Sequence, residues 1–158
     1  MDDAERHLRR AIELARANVE SGGRPFGAVV VKDGEEVATG VNEMHLVDDP
    51  TAHAELLALR AAGLALGTPS LAGCSVYASG HPCPMCMAAM RMAGVVEVAY
   101  AYSNEDGEPH GLSTAAVYVD LARPFAEQSM KIRHVPARLP AHPDLYGEWA
   151  RRGEGADG

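Results

Sequence analysis

Between Ala4 and Glu20 the apolar positions Leu8, Ala11, Ile12, Ala15 and Val19 recur at intervals of three and four among charged neighbours. That period predicts an amphipathic helix over residues 4–20, ended by Gly22-Gly23. The pattern then changes. The stretch PFGAVVVKDGEEVATGVN predicts two strands joined at Asp33-Gly34, a dipeptide suited to a tight hairpin turn. An alanine- and leucine-rich segment predicts a helix from Thr51 to Leu66, with Thr51 as its N-cap and Gly67-Thr68-Pro69 as its stop. Residues 74–79, CSVYAS, read as a short strand; helix follows to about Ala93, and VVEVAYAY predicts a strand over 95–102. Beyond the loop SNEDGEPHGLS come a short helix near 114–121, a strand near 130–135 and a last helix near 143–152.

No internal repeat or linker interrupts this series, so residues 1–152 are expected to form one domain and the tail 153–158, GEGADG, to be disordered. Strands alternating with helices imply an α/β layered fold. The first hairpin makes the sheet mixed, with parallel strands contributed by the later β-α-β unit.

Composition narrows the function. At 158 residues, 47% apolar and 23% charged, the chain has the make-up of a soluble globular protein. No apolar run reaches the length of a membrane span, and the start MDDAERHLRR has no apolar leader region, so a cytoplasmic location is expected. The formal net charge is −8, with Lys32 and Lys131 the only lysines. Nucleic-acid binding relies on clustered basic residues, so this balance argues against a polynucleotide partner and favours a small neutral substrate. Three cysteines do not make a disulfide framework, and in a reducing compartment they point to metal binding or catalysis.

Two of those cysteines fall in HPCPMCMAAM, residues 81–90. Pro84 suits the first position of a helix, which makes Cys83 the cap and sets Cys86 one turn on, on the same face. A helix N-terminus favours thiolates. Taken alone, the pair fits a redox dithiol, half of a structural zinc site, or part of a catalytic metal site. Structural zinc needs two more protein ligands, for which Cys74 and His81 are the nearest candidates. Cys74, alternating with Val76 and Ala78, reads better as a core residue, and His81 as a surface histidine.

The upstream stretch TAHAEL decides between these readings. His53 and Glu55 lie about 200° apart on an ideal helix, yet can face one point where the chain is still turning into its first turn. A histidine and a glutamate there can also be simple cap and dipole partners. Together with the cysteines, however, they complete H-x-E followed by P-C-x-x-C, the signature of zinc deaminases. Zinc then has three protein ligands, His53, Cys83 and Cys86, and keeps a fourth position for water, as catalytic zinc does.

On these residues the chain resembles the cytidine-deaminase superfamily, and within it guanine deaminases and related free-base deaminases. The resemblance runs from the first helix to the region of Trp149 and is densest in PFGAVVVKDG, GVNEM, DDPTAHAEL and HPCPMCMAAM. It implies a three-layer α/β/α sandwich with a central mixed five-stranded sheet, assembled as a homodimer or larger oligomer. It implies one Zn2+ per chain and a free nucleobase or related amino-heterocycle as substrate, guanine first. Ammonia is released by attack of zinc-bound hydroxide, with Glu55 as proton shuttle.

The resemblance makes Asn42 a substrate-orienting residue, although an asparagine there can also simply end a strand. Phe26 is a stacking partner for the base or a core residue, and Ala54 lines the pocket. It assigns Asp106, with Glu105 next, as a second pocket carboxylate, and Trp149 to a final helix that can fold over an active site. Met92 replaces the family's usual tryptophan, and Pro109 and His110 are unlike its usual loop residues, which puts the substrate in question rather than the reaction. The competing readings are therefore a cytosine-type or amino-triazine (5-azacytosine, ammeline) deaminase, a tRNA adenosine deaminase, and a non-catalytic zinc or redox module. Against the last stands Glu55, a carboxylate that a structural zinc site has no use for.

Overall fold

The computed structural model describes residues 1–153, and these form two compact units, the first spanning Met1–Ala122 and the second beginning at Arg123. In the first unit, helix α1 (Asp3–Glu20) starts at Asp2, whose side chain accepts from the Glu5 N–H at 2.7 Å. Strands β1 (Gly27–Lys32) and β2 (Glu35–Val41) pair antiparallel across Asp33 and Gly34, whose φ values of 52° and 79° are those the tight turn requires. A four-residue helix, α2 (Met44–Val47), precedes α3 (Ala54–Leu66). Strand β3 (Cys74–Gly80), helix α4 (Pro84–Ala93) and strand β4 (Glu97–Tyr102) then make a β-α-β unit with parallel strands. The chain continues through α5 (Asn104–Gly107), a 3-10 turn (Glu108–His110) and α6 (Ala115–Leu121).

The sheet is mixed, in the order β2-β1-β3-β4. Its central strand β1 is apolar on both faces, because both faces are covered. Ala28 and Val30 point to a core shared with Ala54, Ala58 and Ala62 of α3 and Cys86 and Met90 of α4. Val29 and Val31 point the other way, to Ala11 of α1 and Tyr77. Helix, sheet and helix make three layers in this unit.

The face that α1 buries differs from the expected stripe by a small rotation: His7, Ala11, Ala15 and Asn18 are buried, while Val19 is exposed. The small side chains at 11 and 15 bring the helix against Gly27, where a Cβ would strike the Ala11 carbonyl and the Ala15 backbone nitrogen. Gly40 plays the same part for α3. A Cβ there would meet the Ala54 carbonyl oxygen and lie 2.6 Å from the Ala58 nitrogen.

Two expectations are corrected. The sheet has four strands, not five: residues 131–138 carry no strand pairing and are all exposed. Strand periodicity is a property of one segment, whereas a strand needs a neighbouring edge, and this segment belongs to the second compact unit. Thr51 is not the cap of α3. Its N–H and hydroxyl both bond Asp49 Oδ1, at 2.8 and 2.7 Å, and the N-cap is His53, in extended conformation at φ −78°, ψ 150°.

The second unit contains a 3-10 turn (Phe125–Glu127), an isolated bridge between Leu139 and His142, and α7 (Leu145–Gly153). Of the tail 153–158, Gly153 closes α7 and residues 154–158 lie outside the described residues.

Gly40→Ala is expected to lower the unfolding free energy by about 1–3 kcal/mol, the usual cost of forcing a methyl into a packed contact. Urea denaturation of the two proteins measures the difference.

Candidate active site

Two helix starts converge under the sheet's end. His53, the cap of α3, is held outside the helix and so can turn its ring toward the start of α4, where Cys83 is the cap and Pro84 the first helical residue. His53 Nδ1 lies 3.4 Å from Cys83 Sγ and 3.6 Å from Cys86 Sγ, and the two sulfurs are 3.5 Å apart. Ligands around a tetrahedral zinc at its usual bond lengths are spaced by about 3.5–3.8 Å. The triangle of one imidazole nitrogen and two sulfurs therefore has the size, and the donor chemistry, of three corners of such a site.

Each group is shifted by its neighbours. Hydrogen bonding with Cys86 and His53 holds Cys83 down, at about 4. The same bond with Cys83, together with burial, pushes Cys86 up. His53 is raised by its bond to Cys83, against a smaller opposing effect of burial. Glu55 follows on the first turn of α3 and is only 5% exposed. Burial raises its pKa, opposed by hydrogen bonds from its own backbone N–H and from Cys86.

His53, Glu55 and Cys83 line a cavity of about 100 Å³, with Arg24, Phe26, Asn42, Ala54, His81, Leu112 and Thr114. Asn42 is 2% exposed and tied down on every side. Its Oδ1 accepts from the Met44 N–H at 3.1 Å, its own N–H donates to Phe26 O at 3.2 Å, and its carbonyl accepts from Asn18 Nδ2 at 2.9 Å. Asn18 also donates to the Arg24 carbonyl at 2.8 Å, so one buried amide on α1 ties down two residues that line the cavity, Arg24 and Asn42. Phe26 is partly buried, lies over Gly80, and forms, with His81 and Leu112, the wall between this cavity and a neighbouring one of about 530 Å³.

Of the residues singled out from sequence, His53, Ala54, Glu55, Cys83, Phe26 and Asn42 line the small cavity, with Cys86 buried behind Cys83. The other acidic candidates are elsewhere. The Asp106 carboxylate accepts from the Ser103 N–H at 2.8 Å and from its hydroxyl at 3.0 Å, closing a capping box on α5, and it lines the larger cavity. Glu105 is exposed and lines neither cavity. Trp149 stands on α7 in the second unit, 74% exposed. Cys74 is fully buried in the core, whereas His81, expected at the surface, is partly buried and lines both cavities, its Nδ1 3.0 Å from the Pro82 carbonyl.

Arg24, Leu112, Thr114 and Asn18 were not anticipated. Leu112 lies in, and Thr114 directly follows, a polar, glycine-rich loop whose composition gives no sign of a cavity wall. Asn18 offered one signal, an amide on an otherwise apolar helix face.

The family model for the cytidine and deoxycytidylate deaminase zinc-binding region matches residues 1–102. Guanine deaminase of Bacillus subtilis is 38% identical over 146 residues, 92% of each chain. Its crystal structure superposes with a TM-score of 0.84 over 93% of both chains. The tRNA-specific adenosine deaminase of Aquifex aeolicus is 33% identical over 145 residues, again 92% of each. A further similar structure is NE0047 in complex with 2,6-diaminopurine, at 33% identity and a TM-score of 0.67 over 70% of this chain and 62% of that one. By its family match and these relatives, the chain belongs to the cytidine and deoxycytidylate deaminase family.

Proposed function

We propose that the protein is a zinc-dependent hydrolytic deaminase of a free nucleobase, with guanine the first candidate. The observation that carries this reading is a buried carboxylate, Glu55, set beside three metal-type donors and lining a small cavity. A purely structural site would complete its coordination with protein atoms and would not bury a carboxylate next to it.

His53, Cys83 and Cys86 would hold one zinc ion per chain. When bound, zinc lowers the pKa of a water so that a nucleophile is available near neutral pH. The chain's own residues then do the rest. Met44 holds the Asn42 side chain at both ends, its backbone N–H donating to Oδ1 and its sulfur accepting from Nδ2 at 3.5 Å, which leaves the second Nδ2 hydrogen to offer to an acceptor on the heterocycle. Phe26 lies along the cavity wall, where it can stack on a planar ring. Glu55, its carboxyl pKa raised by burial, is suited to take a proton from the attacking water and pass protons to the ring nitrogen and the departing amine. The balance is one water consumed, the C–NH₂ bond replaced by C=O, and one ammonia released.

The guanine assignment draws on the Bacillus subtilis relative and on the purine bound by NE0047. A second reading is favoured by the Aquifex aeolicus relative, an adenosine deaminase of tRNA. The charge of −8 weighs against it, since a tRNA partner calls for a basic surface. A cytoplasmic homodimer completes the proposal. No helix among the described residues is long and apolar enough to cross a membrane, and Tyr100 and Tyr102 stand exposed on the sheet's edge strand β4.

The deciding experiment is ammonia release by zinc-quantified protein against guanine, cytosine, 5-azacytosine, ammeline, cytidine, adenosine and tRNA. Turnover of guanine is expected; release only from the six-membered rings would move the specificity, and release from none would end the deaminase reading. Metal analysis should find one zinc per chain, lost in Cys86→Ser. Glu55→Gln should retain that zinc while kcat falls by about 10²–10⁴-fold. Its Tm should match or exceed that of the unaltered protein, because a neutral amide replaces a carboxylate that burial disfavours.

A further inference from the structure

Cys83 stands between two prolines, and the turn that carries it has few freedoms of its own. Each proline ring locks its own φ, and a residue that precedes a proline is kept out of the helical region. Cys83 conforms: it is extended, at φ −70° and ψ 165°, immediately before α4 begins. Between Pro82 and Cys83 the soft angles left are ψ of Pro82 and φ of Cys83, and the first decides where the Pro82 carbonyl points. Holding that carbonyl fixes the peptide plane from which Cys83 departs.

The hold comes from α6, far along the chain. The Tyr118 hydroxyl donates to the Pro82 carbonyl oxygen, and His81 Nδ1 lies 3.0 Å from the same oxygen. A carbonyl oxygen has two lone pairs, so two donors on it leave the peptide little room to turn. Burial pushes the Tyr118 pKa up to about 12, so the phenol keeps its proton and remains a donor at neutral pH. Its ring also stands edge-on to the His81 ring, the centroids 5.4 Å apart and the planes at 88°. Tyr100 meets the same imidazole at 4.6 Å. Tyr118 lines neither of the two neighbouring cavities, so it reaches the site only through the turn.

We propose that Tyr118 is a positioning residue for the triad of His53, Cys83 and Cys86, its hydroxyl fixing the Pro82–Cys83 peptide so that the Cys83 sulfur is set in place for a metal. Packing against His81 needs only the ring; the hydroxyl adds direction. Groups that hold a metal ligand in its orientation change metal affinity or activity by about 10–100-fold when they are removed. The inference rests on the metal-binding part of the reading above.

Tyr118→Phe tests it, because the ring stays and only the hydroxyl is lost. Zinc affinity, measured by competition with a chromophoric chelator, should fall about tenfold or more, while saturation still gives one zinc per chain. With Co2+ in place of zinc, the thiolate-to-metal absorption should shift. In turnover of the preferred heterocycle, kcat should fall with KM little changed. Tyr100→Phe, which removes the hydroxyl of the other tyrosine packed on His81, should leave the zinc affinity and the cobalt spectrum unaltered. If Tyr118→Phe lowers the Tm of the metal-stripped protein but moves neither zinc affinity nor cobalt spectrum, the bond serves the fold alone and the inference is overturned. An equal loss in both phenylalanine variants overturns it too. Either result leaves the deaminase reading standing, whereas an unaltered protein that takes up no zinc ends both.

Discussion

Two thiols, an imidazole and a carboxylate crowded at the edge of a core is an arrangement that folding by itself opposes. Charged groups lose hydration there, and Glu55 has almost none left. The rest of the first unit can be understood as the frame that holds this unfavourable group in place. Strand β1, apolar on both faces, supplies the driving force. Glycines at 27 and 40 let α1 and α3 lie on the sheet almost without spacing, so the first turn of α3 has little freedom to move its polar residues apart. The β-α-β crossover then delivers Cys83 and Cys86 from the other direction.

Much of this was legible in the chain because it is local chemistry. The hairpin follows from Asp33-Gly34, the cap of α4 from Pro84, and the metal-type cluster from four committed residues in two short stretches. What escaped was set by partners distant in sequence. The segment 130–135 has a strand's composition but no sheet edge to pair with in its own unit. Thr51 is a good cap whose hydroxyl is taken by Asp49, leaving the cap to His53, a poorer capper that is thereby turned toward the thiols. Asp106 is acidic and near in sequence to the cavity's wall, but Ser103 is nearer and captures it.

Asn18 illustrates a further kind of residue that periodicity conceals. It sits where an apolar side chain would satisfy the pattern of α1, and its amide instead spans to the carbonyls of two residues that line the cavity, Arg24 and Asn42. An apolar replacement would preserve the helix and leave those two carbonyls to find other donors. Burial here serves orientation more than stability.

The cavity draws its walls from two different parts of the chain. The metal-type donors lie between positions 53 and 86, at the starts of α3 and α4 and inside the 1–102 span shared with the family. Leu112 and Thr114 come after that span, beyond β4, on a stretch that contributes no strand to the sheet. The metal-type donors thus stand on the part of the chain that the family shares, while two of the cavity's walls come from a segment outside the sheet, so side chains at 112 and 114 can be exchanged without touching a strand pairing.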